Sequence, residues 1–266
     1  MSEKGPGADH DGGGDAPATI TEQARPVTAG EAAPIRAEVV LFDAGDTLIA
    51  YRRPLRILLQ DFFIQHDEIV RRDAIGEALE AVDGRYRALI QQVRSVDEER
   101  RMWLEVARDL LDIVLPRRRD LYITLGEWFA EGWRQMKVFR DVRPAMRALR
   151  AAGYRLAVVS NWEPSLARTL EQLGIGHYFE AVITSSTEGI WKPDPGLFRV
   201  ALDRLAAPAE AAVSVGDHLE RDVRSARQAG LHAVLLDRFD DHPEVNLRIR
   251  TLTELPALVS PPAPQR

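Results

Sequence analysis

Four polar strings in this chain put carboxylates, a hydroxyl and an ammonium group where a short apolar run has just ended. They are Asp43-Ala44-Gly45-Asp46-Thr47, Ser160-Asn161-Trp162, Lys192-Pro193-Asp194 and Gly216-Asp217-His218, the last followed closely by Asp222. Acids gathered at one edge repel each other unless a cation sits among them. A set of hard oxygen donors favours Mg²⁺. With Lys192 and the backbone N–H groups after Ser160, the same edge would suit a phosphoryl dianion. Lys192 stands out because it is one of only three lysines, with Lys4 and Lys137, beside thirty-two arginines. Arg and Lys differ in shape and hydration, so a Lys is informative in such a chain.

These strings would meet only if the runs before them were neighbouring parallel strands. Strand-like runs occur at Glu38–Asp43, Tyr154–Ser160, Ala181–Thr184, Ala212–Gly216 and His232–Asp237. Each is short, apolar and closed by polar or Gly residues, as expected of a strand buried on both faces. Helical patterns separate them, over Asp141–Ala152, Pro164–Leu173, Pro195–Ala206 and Leu219–Ala229. Pro near the start and Gly just past the end punctuate most of these helices. Such alternation predicts an α/β fold, a Rossmann-like doubly wound parallel sheet of five strands. Residues 52–138 break the rhythm: apolar residues recur there at three and four, as in Leu55, Leu58, Leu59, Phe62 and Phe63. An excursion of that length predicts an inserted helical domain rather than a loop. The expected division is a disordered tail at 1–36, a core at 37–50 and 138–259, a helical cap at 51–137, and a loose end at 260–266.

Composition narrows the function classes. The chain has 266 residues, 45% hydrophobic and 29% charged, which is a globular balance. A net charge of -6 argues against a general nucleic-acid binder. No Cys is present, so disulfides and thiolate chemistry are excluded. No apolar run approaches a membrane span, and the first residues carry no apolar signal segment, so a cytoplasmic protein is expected.

In this order, the four strings resemble the motifs of the haloacid dehalogenase superfamily, and the insertion after the first strand resembles its subfamily I, with an α-helical cap. The likeness runs from about Val39 to Leu236, with VGDHLERDVRSARQAGLHAVLLD and KPDPGLF the most telling strings. The resemblance implies that Asp43 is a nucleophile forming an aspartyl-phosphate. It implies Mg²⁺ held by Asp43, the Gly45 carbonyl and Asp217, with Asp222 in support. Thr47 would hold the nucleophile loop. Ser160 and the Asn161 N–H would bind phosphoryl oxygens, and Lys192 would neutralise the crowded anions.

One position departs from that pattern. The usual phosphatase string is D-x-D-x-T, whose second Asp protonates the leaving oxygen and then activates water. Here that place is Gly45, and the extra acid, Asp46, comes one residue later. Asp46 and His218 are the candidates for a substitute acid/base. The function expected is a Mg²⁺-dependent phosphatase acting on a small phosphorylated metabolite, with the oligomeric state left open. The alternatives are a 2-haloacid dehalogenase-like hydrolase and a non-catalytic phosphate- or metal-binding regulatory homologue. Trp162 and Trp191 flank two of the strings and are candidates for the mouth of the site.

Overall fold

The computed structural model describes residues 34–261. The expected tail up to residue 33 and the last five residues of the expected loose end lie outside them.

The central strand is β2 (Val39–Phe42), whose four residues are wholly buried. The remaining strands of the main sheet are β5 (Arg155–Ser160), β6 (Ala181–Thr184), β7 (Ala212–Gly216), β8 (His232–Leu236) and β9 (Arg248–Ile249). All pair in parallel, in the order β6-β5-β2-β7-β8-β9. Alternate side chains feed two cores. Val40, Phe42, Leu156, Val158, Val213 and Val215 face one layer; Val39, Leu41, Ala157, Val159 and Ala212 face the other. This period of two over runs apolar on both faces is why the strands read as continuous hydrophobic strings.

The sheet has six strands, not five. The added edge strand β9 has only two residues and begins with an Arg, so it carries no apolar run to mark it. Two smaller pairings also went unmarked. β1 (Ile35–Arg36) pairs with β10 (Val259–Ser260), drawing in residues assigned by sequence to the tail and the loose end. β3 (Ile49–Tyr51) pairs antiparallel with β4 (Met136–Val138), so the limits of the insertion are strands tied to each other.

Between β3 and β4 lie the inserted helices α1 (Leu55–Gln65), α2 (Arg72–Ile90), α3 (Val96–Val114) and α4 (Tyr122–Ala130). They enclose a core of their own around Leu59, Phe63, Ile75, Leu110, Leu111 and Leu125. Ser95 starts α3 by accepting the Glu98 N–H at 3.3 Å, a side-chain cap ahead of an acidic first turn. Arg117 and Arg118, which follow Pro116, both pair with Glu68. Among the described residues, no helix is long and apolar enough to cross a membrane.

Helices α5 (Val142–Ala151), α6 (Leu166–Gln172), α7 (Ser185–Glu188), α8 (Gly196–Leu205), α9 (Ser225–Gln228) and α10 (Leu255–Leu258) complete the fold. The expected helix over Leu219–Ala229 is not uniform: Leu219–Arg224 form a wide π turn before α9 begins. Such turns are rare and concentrate near functional sites.

Candidate active site

Strands β5, β2 and β7 are neighbours, so their carboxyl ends open side by side. Asp43 follows β2 directly, and its N–H continues the ladder to the Val215 carbonyl at 3.0 Å. Ser160 ends β5, and Asp217 follows β7. Carboxylate oxygens of Asp43, Asp217 and Asp222 lie within 4.8 Å of one another.

Lys192 sits at the centre of this group, with its side chain 2% exposed. Its ammonium donates to Asp43 Oδ1 at 2.7 Å, Asp222 Oδ1 at 2.5 Å and the Val159 carbonyl at 3.0 Å. Ser160 Oγ donates to the same Asp43 Oδ1 at 3.0 Å. Asn161 fixes the Lys192 backbone from both sides: its amide donates to the Lys192 carbonyl and accepts the Lys192 N–H, each at 2.8 Å. The second oxygen of Asp222 accepts the His218 N–H at 2.9 Å. The π turn brings this carboxylate back under the end of β7. Gly216 makes the approach feasible, since a Cβ there would lie 2.4 Å from the Asp222 carboxyl.

Electrostatics follow from one cation among three acids. Burial raises the Asp43 carboxyl; Lys192 opposes this and Asp222 adds to it. Burial, with Asp43, Asp222 and Asp46 beside it, pushes Asp217 up to about 7. Burial by itself would lower the Lys192 ammonium, but Asp222 and Asp43 outweigh it and hold the group above its ordinary value. Three close carboxylates make a hard-oxygen donor set whose charge a divalent ion would balance. The residues present therefore fit Mg²⁺.

Other expected residues are placed more specifically than the sequence allowed. Thr47 reaches across to Asp217, its hydroxyl donating to Oδ1 at 3.2 Å, and so links the first loop to the end of β7. Asp46 takes a left-handed backbone, φ 52°, and its N–H donates to the Ile49 carbonyl at 2.8 Å. Burial raises its carboxyl against the pull of Arg238 and Arg221. His218 caps the π turn, its Nδ1 accepting the Glu220 and Arg221 N–H groups at 3.2 and 3.4 Å. Burial and then Arg221 lower its pKa, which favours the neutral ring.

Several residues at the site carry no signal in the sequence. Arg238 donates to the Thr47 carbonyl at 2.7 Å and to Asp141 at 2.8 Å, bracing the Asp43 loop from behind. It stacks 4.0 Å from the centre of the Phe139 ring. Cap and core meet through acids, Glu99 buried and Glu163 half-buried: Tyr86 of α2 donates to Glu163 at 2.6 Å, and Glu99 of α3 accepts the Ser165 hydroxyl and N–H at 2.6 and 2.9 Å. Burial raises the Glu163 carboxyl. The indole of Trp162 lies against the first loop, with Cζ3 3.2 Å from where a Cβ on Gly45 would stand.

Residues 37–230 match the haloacid dehalogenase-like hydrolase family. The chain belongs to that family. Among its relatives, a phosphoserine phosphatase of Thermus thermophilus is 37% identical over 136 residues, 49% of this chain and 55% of that protein. A glyceraldehyde 3-phosphate phosphatase of Methanopyrus kandleri is 39% identical over 104 residues, 39% of this chain and 45% of that one. This haloacid dehalogenase-like chain thus spans about half the length of several curated relatives it matches. Of solved structures, a haloacid dehalogenase-family phosphatase of Thermococcus onnurineus matches with TM-score 0.55 and 26% identity, covering 83% of this chain and 95% of that one. A 2-haloacid dehalogenase of Pseudomonas syringae matches with TM-score 0.59 and 25% identity, covering 84% and 97%.

Proposed function

We propose that this chain is a Mg²⁺-dependent phosphatase that hydrolyses a small phosphorylated metabolite through an aspartyl-phosphate at Asp43. The observation that carries the reading is the convergence of Asp43, Asp217 and Asp222 around one buried lysine at the carboxyl edge of the sheet. The phosphatase names of its relatives support it.

Ser160 and Lys192 both donate to Oδ1 of Asp43, which orients the carboxylate with Oδ2 free to attack phosphorus. A carboxylate nucleophile divides one hard hydrolysis into two easier steps. In the first, an oxygen of Asp43 bonds to phosphorus and the ester P–O bond breaks, its electron pair leaving on the departing oxygen. In the second, water attacks phosphorus, and Asp43 is released with inorganic phosphate. Lys192 stays within reach of the nucleophile and balances negative charge as it shifts from carboxylate to phosphoryl oxygens. Asp43, the Gly45 carbonyl and Asp217 would hold Mg²⁺, with Asp222 behind them positioning Lys192 and the His218 N–H. When bound, the ion supplies charge neutralisation at the phosphoryl group.

Phosphate release from phosphorylated metabolites should require Mg²⁺ and disappear in Asp43→Asn. Asp217→Asn should weaken Mg²⁺ binding and turnover together. Full activity in excess chelator, or an active Asp43→Asn protein, overturns this function. A second reading, a 2-haloacid dehalogenase in which Asp43 attacks carbon, is favoured by Gly45, since no acid stands at the second position of the motif. Halide release from 2-haloacids without metal would establish it. Release of neither product, with phosphate or Mg²⁺ still bound, would identify a regulatory binding protein.

A further inference from the structure

The space beside Gly45 belongs to Trp162. A Cβ at position 45 would meet Cζ3 of the indole at 3.2 Å and Cε3 at 4.0 Å, so the ring's benzo edge crowds the direction a side chain would take. The ring is carried on a rigid segment. Trp162 follows Ser160 and Asn161 in the loop after β5, its N–H donates to Ser185 Oγ at 3.1 Å, and its carbonyl accepts the Ser186 N–H at 3.3 Å. Both serines are fully buried. The indole packs on the sheet core but is itself only half-buried. Ser160 on one side and Gly45 on the other place it along the rim of the Asp43 loop.

If the leaving group departs over position 45, as the likeness to the D-x-D-x-T string implies, it meets a flat hydrocarbon edge there in place of a proton donor. An alkoxide gains nothing from such a neighbour: it needs a proton, and neither Gly45 nor the indole carbons can give one. A phenolate needs the proton far less, and its ring can pack against the indole in an offset or edge-to-face geometry. Acidity and shape then favour the same class of leaving group. We propose that Trp162 is a specificity-determining residue of this site and that it selects aromatic leaving groups, making aryl phosphate monoesters the preferred substrates. This rests on Asp43 acting as a phosphoryl acceptor.

The test separates shape from acidity. Phosphate release is measured for pairs of aryl and fluoroalkyl phosphates whose leaving groups are matched in pKa, with wild type, Trp162→Leu and Trp162→Phe. Wild type should favour the aryl member of each pair by about tenfold in kcat/KM, the size of a good aromatic pairing. Trp162→Leu should lose that preference, chiefly through KM for the aryl member, and Trp162→Phe should keep most of it. Equal rates for matched pairs in wild type overturn the proposal, and need no variant to fold. A preference that survives Trp162→Leu also overturns it, because the selecting surface then lies elsewhere. No phosphate release from any member would instead remove the phosphatase function itself, a result distinct from release without discrimination.

Discussion

At the scale of single residues, the leaving-group chemistry turns on Gly45. A positioned general acid contributes about 10²–10⁴ in rate, most of it for poor leaving groups. Without one, log kcat/KM should fall steeply as leaving-group pKa rises. Restoring the acid crowds Trp162, because a Cβ at 45 would stand 3.2 Å from its ring and the indole must give way for it. Gly45→Asp alone is expected to gain little on alkyl phosphates. Combined with Trp162→Ala, which opens the space, it should raise alkyl turnover by about tenfold or more and flatten the plot. Like-charge repulsion from Asp46 and the site's other carboxylates limits the gain. A flat plot for wild type would show that another group already supplies the proton. His218 is then the first to replace, since its Nδ1 is spent on capping and the neutral ring carries its proton on Nε2. The residue types of the site were legible from the chain, because acids, a hydroxyl and a rare lysine stood at strand ends. The filling of position 45 was not, because Gly45 and Trp162 meet only across two loops from different strands.

At the scale of elements, the cap meets the core through groups that titrate. Glu99 on α3 is 4% exposed and accepts two hydrogen bonds from Ser165 of the core, with Trp103 beside it. Burial, reinforced by Glu163, pushes its carboxyl from 4.5 up to about 7. The folded protein thus binds a proton that the unfolded chain has released across that window. Its stabilising contribution is whole below about 4.5 and is lost as pH rises through about 7. Thermal unfolding followed from about pH 5 to about pH 8 should show a falling midpoint, and Glu99→Gln should reduce the fall. Identical slopes would show that Glu99 stays ionised when folded. Periodicity marked the long elements, since β2, β5, β7 and β8 are apolar on both faces and the cap helices repeat at three and four. It missed β9 and the β1–β10 and β3–β4 pairs, which are two or three residues long and held by backbone pairing to distant segments. It also read a plain helix over Leu219–Ala229, where the π turn aims Asp222 at Lys192.

At the scale of the whole molecule, the core of the inserted helices is joined to the two core layers of the sheet by the β3–β4 pair and a small seam of Ile90, Val93, Met102 and Val106 packed with Trp191. The acids stand on the sheet side of that junction with one lysine among them, so a bound cation should stabilise the entire core. Excess Mg²⁺ at about a hundredfold over its Kd adds about 2.7 kcal/mol by mass action. For a chain of this size that corresponds to a rise in Tm of about 5–10 °C. Chelator should reverse the rise, and Asp217→Asn should abolish it; an unchanged Tm in wild type would mean that the acids hold no metal. That the residues after the strands open toward one edge was determined by the sequence alone. Buried parallel strands repeat every two residues and all open toward the same edge, so the residues that follow them share that edge whatever lies between, and strand order decides which of them are neighbours. The tertiary structure decided which side chains touch there. Tyr86 and Glu163 are 77 positions apart, Thr47 and Asp217 are 170 apart, and Arg238 braces a loop 191 positions away. Local pattern carries no trace of such pairings, and Arg238 is one arginine among thirty-two. Its partners were settled only when the edge of the sheet closed around Asp43.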